Sequence, residues 1–335
     1  MPTFSIILAT RDRPVLFRDA LNSVIAQTQT DTEIIVVNDG SAAEHHEAYE
    51  QALAAATTAI GNLRIRPFQL VRRPHGHGQS YALNYGVAQA RGDFLCFLDD
   101  DDRWIDTEHL QRASEILQEA DARGAPIDLY MTNQLAFRRG RQLPGPIWLE
   151  ALAAQCRSRG HSPCARGTYS VTVPELMAAG GFCHINCLVV PRALYEDVAG
   201  MDEGIRWECD RDLFLRVADR ARRIVHHPQV VSRHEVPEPG RTLSMTTQLP
   251  MLEKRRYQLQ VLDKAALFAR HPAIRAHGRQ HKGHTLKKIT EELARSGRWK
   301  SAVFYAREAL GIAPTFKWTL FTSYCQVRQW ARAGE

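Results

Sequence analysis

No apolar run in this chain of 335 residues approaches the roughly 20 residues that a helix needs to cross a bilayer. The opening Met1-Pro2-Thr3-Phe4-Ser5-Ile6-Ile7-Leu8 has no basic leader and too short an apolar core for a signal peptide. The expected location is therefore the cytoplasm. Low-complexity tracts are absent, and 44% hydrophobic with 24% charged residues is the composition of a folded globular chain. Seven cysteines show no Cys-x-x-Cys spacing. Cys156, Cys164, Cys183 and Cys187, with His161 and His184 nearby, match no common zinc module, so reduced and mostly buried thiols are expected. The length accommodates one large α/β domain with an appendage, or two domains.

Acid is scarce towards the C-terminal end. From Arg241 onward 18 Lys and Arg stand against 6 Asp and Glu, a balance of +12; within a net charge of +6, residues 1–240 carry −6. An acidic body with a basic tail predicts an anionic partner, such as the inner face of a membrane, and a tail that is merely basic is the alternative. Lys254-Arg255-Arg256 and Lys287-Lys288 are the expected contacts. Trp299, Phe304 and Trp318 either anchor in that surface or pack as the tail's own core. No nucleic-acid partner is expected.

What the chain does concentrate is acid at one point. Asp99, Asp100, Asp101 and Asp102 follow the apolar run Phe94-Leu95-Cys96-Phe97-Leu98, which reads as a buried strand. Two unit charges about 4 Å apart repel by roughly 1 kcal/mol in water and about 4 kcal/mol at an effective dielectric of 20. A hard divalent cation with oxygen ligands, Mn²⁺ or Mg²⁺, turns that repulsion into attraction, and Mg²⁺ commonly joins one or two carboxylates to substrate phosphates.

Strand and helix signals alternate around this point. Phe4 to Ala9 reads as a strand, followed by Thr10-Arg11-Asp12-Arg13-Pro14, where Pro14 suits a first helical turn. Glu33-Ile34-Ile35-Val36-Val37 is a second strand ending at Asn38-Asp39-Gly40-Ser41, and a polar helix runs to about Ala59. A strand from Arg64 to Val71 and a helix opened by Gly76-His77-Gly78-Gln79-Ser80 precede the aspartates. The pattern predicts a parallel sheet flanked by helices, with ligands at the carboxyl ends of the strands. Beyond it come a helix from about Trp104 to Ala122 and a strand at 127–131. A Gly-, Pro- and Arg-rich excursion at 138–181 follows, with one helical patch near Leu149 to Cys156, then a strand at 184–190. A helix over Asp210 to Asp219 and a strand from Arg223 to Val231 lead to Arg233-His234-Glu235. After Pro237-Glu238-Pro239-Gly240 the chain turns helical. There Gly297-Arg298-Trp299-Lys300-Ser301-Ala302 resembles half of a tetratricopeptide unit, read as one helical hairpin.

These clusters, in order, resemble the family 2 glycosyltransferases of GT-A fold over roughly residues 3 to 236. The resemblance rests on the segments 6–14, 23–28 and 33–41, then Asn84-Tyr85-Gly86 with Ala90-Arg91-Gly92. It continues through Phe97-Leu98-Asp99-Asp100-Asp101-Asp102, Gly200-Met201-Asp202-Glu203, Asp210-Arg211-Asp212-Leu213 with Leu215-Arg216, and His234. It implies a GT-A domain at 1–240, with a nucleotide-sugar half at 1–105 and an acceptor half at 106–240, and a basic α-helical region at 241–335. The activity implied is inverting, metal-dependent transfer from a nucleotide sugar, UDP-linked above all. The acceptor would be a hydroxyl of a cell-envelope glycan or a lipid-linked molecule, in polysaccharide or glycolipid synthesis.

Residue by residue, the resemblance implies that Thr10 and Arg13 line the nucleotide pocket and that Asp39 accepts a hydrogen bond from the base. Asp99 and Asp101 form the Asp-x-Asp that touches ribose and holds Mn²⁺ or Mg²⁺, with Asp100 beside them. His234 adds a metal or diphosphate contact, and Asp210 is the base for the acceptor. Taken singly, Asp39 is also a turn former, Asp210 a helix N-terminal carboxylate, and His234 a strand-end histidine; Asp100 and Asp102 also read as loop-capping groups. Two departures stand out. Cys209 occupies the place where the family often has Glu, leaving open Glu208 or Asp212 as the base in a shifted register, and Leu83 stands where relatives commonly carry Arg. Two other classes compete. A non-catalytic nucleotide-sugar-binding scaffold conflicts with the retained acidic positions. A sugar-1-phosphate nucleotidylyltransferase wants a glycine-rich loop after the first strand, where this chain has Thr10-Arg11-Asp12-Arg13-Pro14.

Overall fold

A computed structural model describes residues 3–60, 64–238 and 245–333. They fall into two compact units, 1–238 and 239–335. The boundary expected at 240/241 lies outside the described residues.

The first unit begins with β1 (Phe4–Thr10), α1 (Pro14–Ile25), β2 (Thr32–Asn38), α2 (His46–Ile60), β3 (Ile65–Gln69), α3 (Gln79–Ala88) and β4 (Phe94–Phe97). The apolar runs of β1 and β2 are buried on both faces, as central parallel strands require. Both β2 and β4 pair parallel to β1, and β3 pairs parallel to β2. Pro14 opens α1, whose Phe17, Ala20, Leu21 and Val24 recur at helical spacing and bury one face. Against the other side of the sheet lies α3. A Cβ on its Gly86 would come within 2.6 Å of the Ile7 side chain, so glycine there permits the close approach of helix to strand.

The remainder of the unit comprises β5 (Arg103–Trp104), α4 (His109–Ala122), β6 (Leu129–Arg138), β7 (Arg141–Gln142), α5 (Leu152–Ser158), β8 (Tyr169–Val171) and α6 (Val173–Ala178). After these come β9 (Leu188–Pro191), α7 (Arg192–Asp197), α8 (Cys209–Arg220) and β10 (Ile224–Glu235). One sheet holds them in the order β3-β2-β1-β4-β9-β6-β10-β5, with β7 on β6 and β8 on β10. Because β9 is antiparallel to both β4 and β6, while β10 is parallel to β6, strands β4, β6 and β10 point the same way. Their carboxyl ends, with those of β1 and β2, form one edge where the polar clusters meet. This mixed, mostly parallel sheet flanked by helices is the GT-A architecture.

Three expectations need correction. The helix expected from Trp104 begins at His109, because Arg103–Trp104 pairs antiparallel with β10 instead. The excursion at 138–181 is built into the sheet through β7 and β8. The last strand extends four residues past Val231 and carries His234 inside it.

In the second unit α9 (Met245–Gln248) precedes α10 (Met251–Phe268), α11 (Pro272–Arg295), α12 (Trp299–Ile312) and α13 (Phe316–Ala333). Each long helix packs on the next, so the expected hairpin is part of a set of four. Trp299 and Trp318 belong to the core of this unit and Trp318 donates to the Ala306 carbonyl at 3.0 Å, whereas Phe304 is exposed.

Candidate active site

Strand β4 ends at Phe97, and the four aspartates form a turn closed by the Asp102 N–H on the Asp99 carbonyl at 3.1 Å. The turn divides them. Asp100 is directed inward, 1% exposed, where it accepts from Thr10 Oγ1 at 2.7 Å and pairs with Arg13. Thr10 also meets the Tyr49 hydroxyl at 2.8 Å, and Arg13 reaches Asp101 at 2.8 Å. Thr10, Arg13 and Asp100, all expected at the nucleotide, thus form one buried brace behind the turn. Burial, opposed by Arg13, pushes Asp100 up to about 7. For Arg13 burial is outweighed by the three aspartates around it, and its pKa is raised.

Asp99, Asp101 and Asp102 bring carboxylate oxygens within 4.8 Å of one another. Desolvation raises Asp99 well above the ordinary carboxylate range, and the charges of Asp102 and Asp101 push the same way; Asp101 is raised as well, with burial first among the causes. Such unrelieved repulsion among hard oxygen donors fits a divalent cation of the Mg²⁺ or Mn²⁺ kind. Asp102 is held differently. Burial would raise it, but the charge and hydrogen bond of His234, then His184 and the Glu235 N–H, hold it below its usual value. His234 Nδ1 lies 2.8 Å from Asp102 and the Glu235 N–H donates at 2.9 Å. The same pairing, against the opposing effect of burial, lifts His234 to about 9. A protonated His234 has no free nitrogen lone pair. It serves as a counter-charge in this state, and Nε2 becomes a possible ligand atom only on loss of the proton.

Asn186, from the short 3₁₀ turn before β9, ties the turn down. Its Oδ1 accepts from the Asp99 N–H at 3.0 Å and its Nδ2 donates to Asp102 at 2.6 Å. Gln79, at the start of α3, donates to Asp99 at 2.7 Å. Sequence reasoning singled out neither residue; the signal for Asn186 was a lone amide inside the apolar run 185–190.

Asp210 sits in the first turn of α8 and is linked to the aspartates through His184, whose Nε2 is 3.7 Å from Asp210 and 3.8 Å from Asp99. Burial lowers the His184 pKa, with Asp210 opposing it, so the ring is neutral at neutral pH. Its Nδ1 faces the Asn186 N–H at 3.4 Å, which assigns the proton to Nε2, directed at the two carboxylates. Trp148 packs edge-on against His184 and His234, with ring centres 5.8 and 5.3 Å away. Of the two other carboxylates left open by the sequence, Asp212 is 2% exposed and accepts from Nε and Nη2 of Arg216, at 2.9 and 2.7 Å. Glu208 pairs with Arg211 at 3.2 Å. Cys209 is buried, its thiol 3.8 Å from Gln79 Oε1, and burial raises its pKa, so the position where relatives often carry Glu is uncharged here.

Asp39 lies apart from this cluster at the end of β2. Its carboxylate accepts from the His77 N–H at 2.9 Å and the Gly78 N–H at 3.0 Å, while Arg11 holds the same loop through the Arg73 carbonyl at 2.8 Å. Leu83 is part of the buried core.

Residues 5–165 match the family model described as glycosyl transferase family 2. Over 163 residues the chain is 32% identical to an uncharacterized glycosyltransferase of Nostoc sp., covering 48% of this chain and 47% of that protein. It is 28% identical over 191 residues to the succinoglycan biosynthesis protein ExoW of Rhizobium meliloti, covering 55% and 53%. The chain thus spans about half the length of these curated relatives. Among solved structures, S. aureus TarS 1-349 in complex with UDP-GlcNAc aligns with a TM-score of 0.68 at 17% identity, covering 98% of this chain and 88% of that one. That likeness establishes the fold, and the match to glycosyl transferase family 2 extends over residues 5–165, just under half of the chain.

Proposed function

We propose that the protein transfers a sugar from a nucleotide sugar, UDP-linked above all, to a hydroxyl of a cell-envelope glycan or lipid-linked acceptor, with inversion at the anomeric carbon. The observation that carries this reading is the pairing of two unlike acidic groups. A carboxylate set suited to a divalent ion lies at the end of β4, and one further carboxylate, Asp210, faces it across neutral His184. ExoW, by its name, acts in succinoglycan biosynthesis, and TarS was solved with UDP-GlcNAc, which supports an envelope or exported glycan and a UDP donor.

Asp99 and Asp101 would hold the ion, with Asp102 and His234 completing the charge balance. A divalent cation bound there supplies neutralisation of the charge that develops on the departing diphosphate. The chain's own residues do the rest. Asp39 offers the remaining lone pairs of its carboxylate to a base N–H. Thr10 and Arg13 hold Asp100 and Asp101 so that the turn keeps its shape when the donor enters. Asp210 takes the proton of the attacking hydroxyl, a step that typically contributes about 10²–10⁴-fold. His184, fixed by Asn186, orients that carboxylate.

Calorimetric titration with UDP and a panel of nucleotide sugars, with Mn²⁺, Mg²⁺ or EDTA, tests the reading. UDP-linked ligands are expected to bind only with the divalent ion, and a saturated complex at 100 times Kd gains about 2.7 kcal/mol in stability. Equal affinity in EDTA would refute the metal assignment, and absence of binding by any nucleotide sugar would refute the activity.

A further inference from the structure

Helix α13 is apolar on two opposite faces. Trp318 and Cys325 are buried in the core of the helical unit, with Phe321 packed beside them. On the other side Phe316, Leu320, Val327 and Trp330 are exposed by 80%, 57%, 57% and 66%, and Tyr324 by 50%. At 3.6 residues per turn these five positions fall within an arc of about 120°. Scattered exposed apolar residues are ordinary, but a continuous row along a helix already packed on its opposite face marks an interaction surface.

Charge indicates what covers it. Between Phe316 and Ala333 the sequence has Lys317, Arg328 and Arg332 and no Asp or Glu. Lys317 and Arg328 fall on one edge of the row by helical position. On the opposite edge Arg307 of α12 hydrogen-bonds Gln326 of α13 at 2.7 Å. The acid carried by α12 is Glu308, next to Arg307. A second copy of the chain seated on this face would bring cations against cations, whereas an anionic bilayer satisfies both the apolar row and its basic edges. We propose that α13 lies in the plane of an anionic lipid surface, with Phe316, Leu320, Val327 and Trp330 set into the boundary between headgroups and acyl chains and Lys317, Arg328 and Arg307 on lipid phosphates. No helix among the described residues is long and apolar enough to cross a membrane, so the attachment is interfacial. Trp299 and Trp318 take the core alternative that the sequence left open, so the apolar part of this surface comes from other residues of α13.

The test uses the full chain with vesicles of phosphatidylcholine alone or mixed with phosphatidylglycerol, and reads co-sedimentation together with the part of the tryptophan emission change that Trp330→Ser removes. Binding is expected only to the mixed vesicles and is expected to weaken between about 0.1 and 1 M salt, as the screening length falls from about 10 to 3 Å. Leu320→Ser with Val327→Ser should lower vesicle affinity at least about tenfold with an unchanged melting temperature, because both side chains are exposed. Trp330→Ser and, independently, Lys317→Glu should each weaken it too. Equal binding to neutral vesicles, or full affinity in the Leu320/Val327 variant, would overturn the proposal. So would a dimer in sedimentation velocity that the same substitutions abolish, since that outcome assigns the face to a second copy.

Discussion

Replacing Asp210 by Asn and, separately, Asp212 by Asn separates the two roles that α8 gives to carboxylates only two residues apart. Asp210 is partly exposed, faces His184 at 3.7 Å, and has a local hydrogen bond from the Arg211 N–H at 2.8 Å, which an amide oxygen also accepts. Asp210→Asn should therefore leave the fold and nucleotide affinity nearly unchanged. It should lower the transfer rate by about 10²–10⁴-fold, which is roughly 2.7–5.5 kcal/mol in the barrier. Asp212 is 2% exposed and bound by two nitrogens of Arg216, so Asp212→Asn strands a guanidinium. Breaking a buried ion pair by removing one partner costs about 3–5 kcal/mol, and the 24% exposure of Arg216 trims that to about 2–4 kcal/mol. The assay is a transfer rate per folded molecule, alongside nucleotide titration and urea unfolding of each variant. If Asp210→Asn keeps more than about a tenth of the rate, it is not the base. If Asp212→Asn stays fully stable yet loses the rate, the roles of the two residues are reversed.

Gly181→Ala should displace Trp148 from His184 and His234, since a Cβ there would stand 1.9 Å from the Trp148 carbonyl oxygen; a loss of about 1–3 kcal/mol with a changed near-ultraviolet signal is expected, and an unaltered melt would refute the packing. Arg13→Met leaves Asp100 and Asp101 without their counter-charge, so unfolding should come earlier, and added Mn²⁺ should restore part of the loss if the turn binds the ion; no destabilisation would contradict the brace. His109 is buried and held down to about 3, with burial the leading cause. A histidine whose folded pKa is depressed stabilises the fold fully above about pH 6.5 and loses that contribution as pH falls towards 3, at up to about 1.4 kcal/mol per pH unit. Wild type should therefore lose stability relative to His109→Phe as pH drops from about 7 to 5 in urea titrations, and a constant gap between the two would refute a neutral His109.

The first hundred residues were legible because the central strands β1 and β2 are buried on both faces and end abruptly in polar residues, so periodicity and punctuation agree. Legibility failed where pairing is non-local. Trp104 reads as the start of a helix from its neighbours alone. Its N–H instead meets Ser23 Oγ at 3.1 Å, its indole donates to the Asn186 carbonyl at 2.9 Å, and its strand partner is Ser232. None of those partners lies within 80 residues of it, so no local pattern carries the information. The division of the four aspartates was hidden for the same reason. In sequence Asp100 and Asp102 are equivalent members of one run. In the fold a turn directs Asp100 to Arg13, while Asp102 is claimed by Asn186, from the turn before β9, and by His234 of β10, both far later in the chain.

The register of α8 is more readable than it first looks. Residues i and i+4 share a helix face, so their spacing alone sets Asp212 beside Arg216. Position 210 lies about 200° around the helix from 212, on a face with no cation four residues on, because position 214 is Phe. Of the two first-turn carboxylates of α8, that geometry gives Asp212 an i+4 cation and leaves Asp210 without one. The fold adds what the helix cannot supply, which is the strand end opposite it. His184 stands between Asp210 and Asp99, and both carboxylates reach the same imidazole nitrogen from different elements. A neutral ring offers one N–H to two carboxylates and neutralises neither. The negative charge crowded on the β4 side, where burial and neighbouring aspartates raise Asp99, and the separate carboxylate on the α8 side are the grounds on which a cation at the first and a base at the second are proposed.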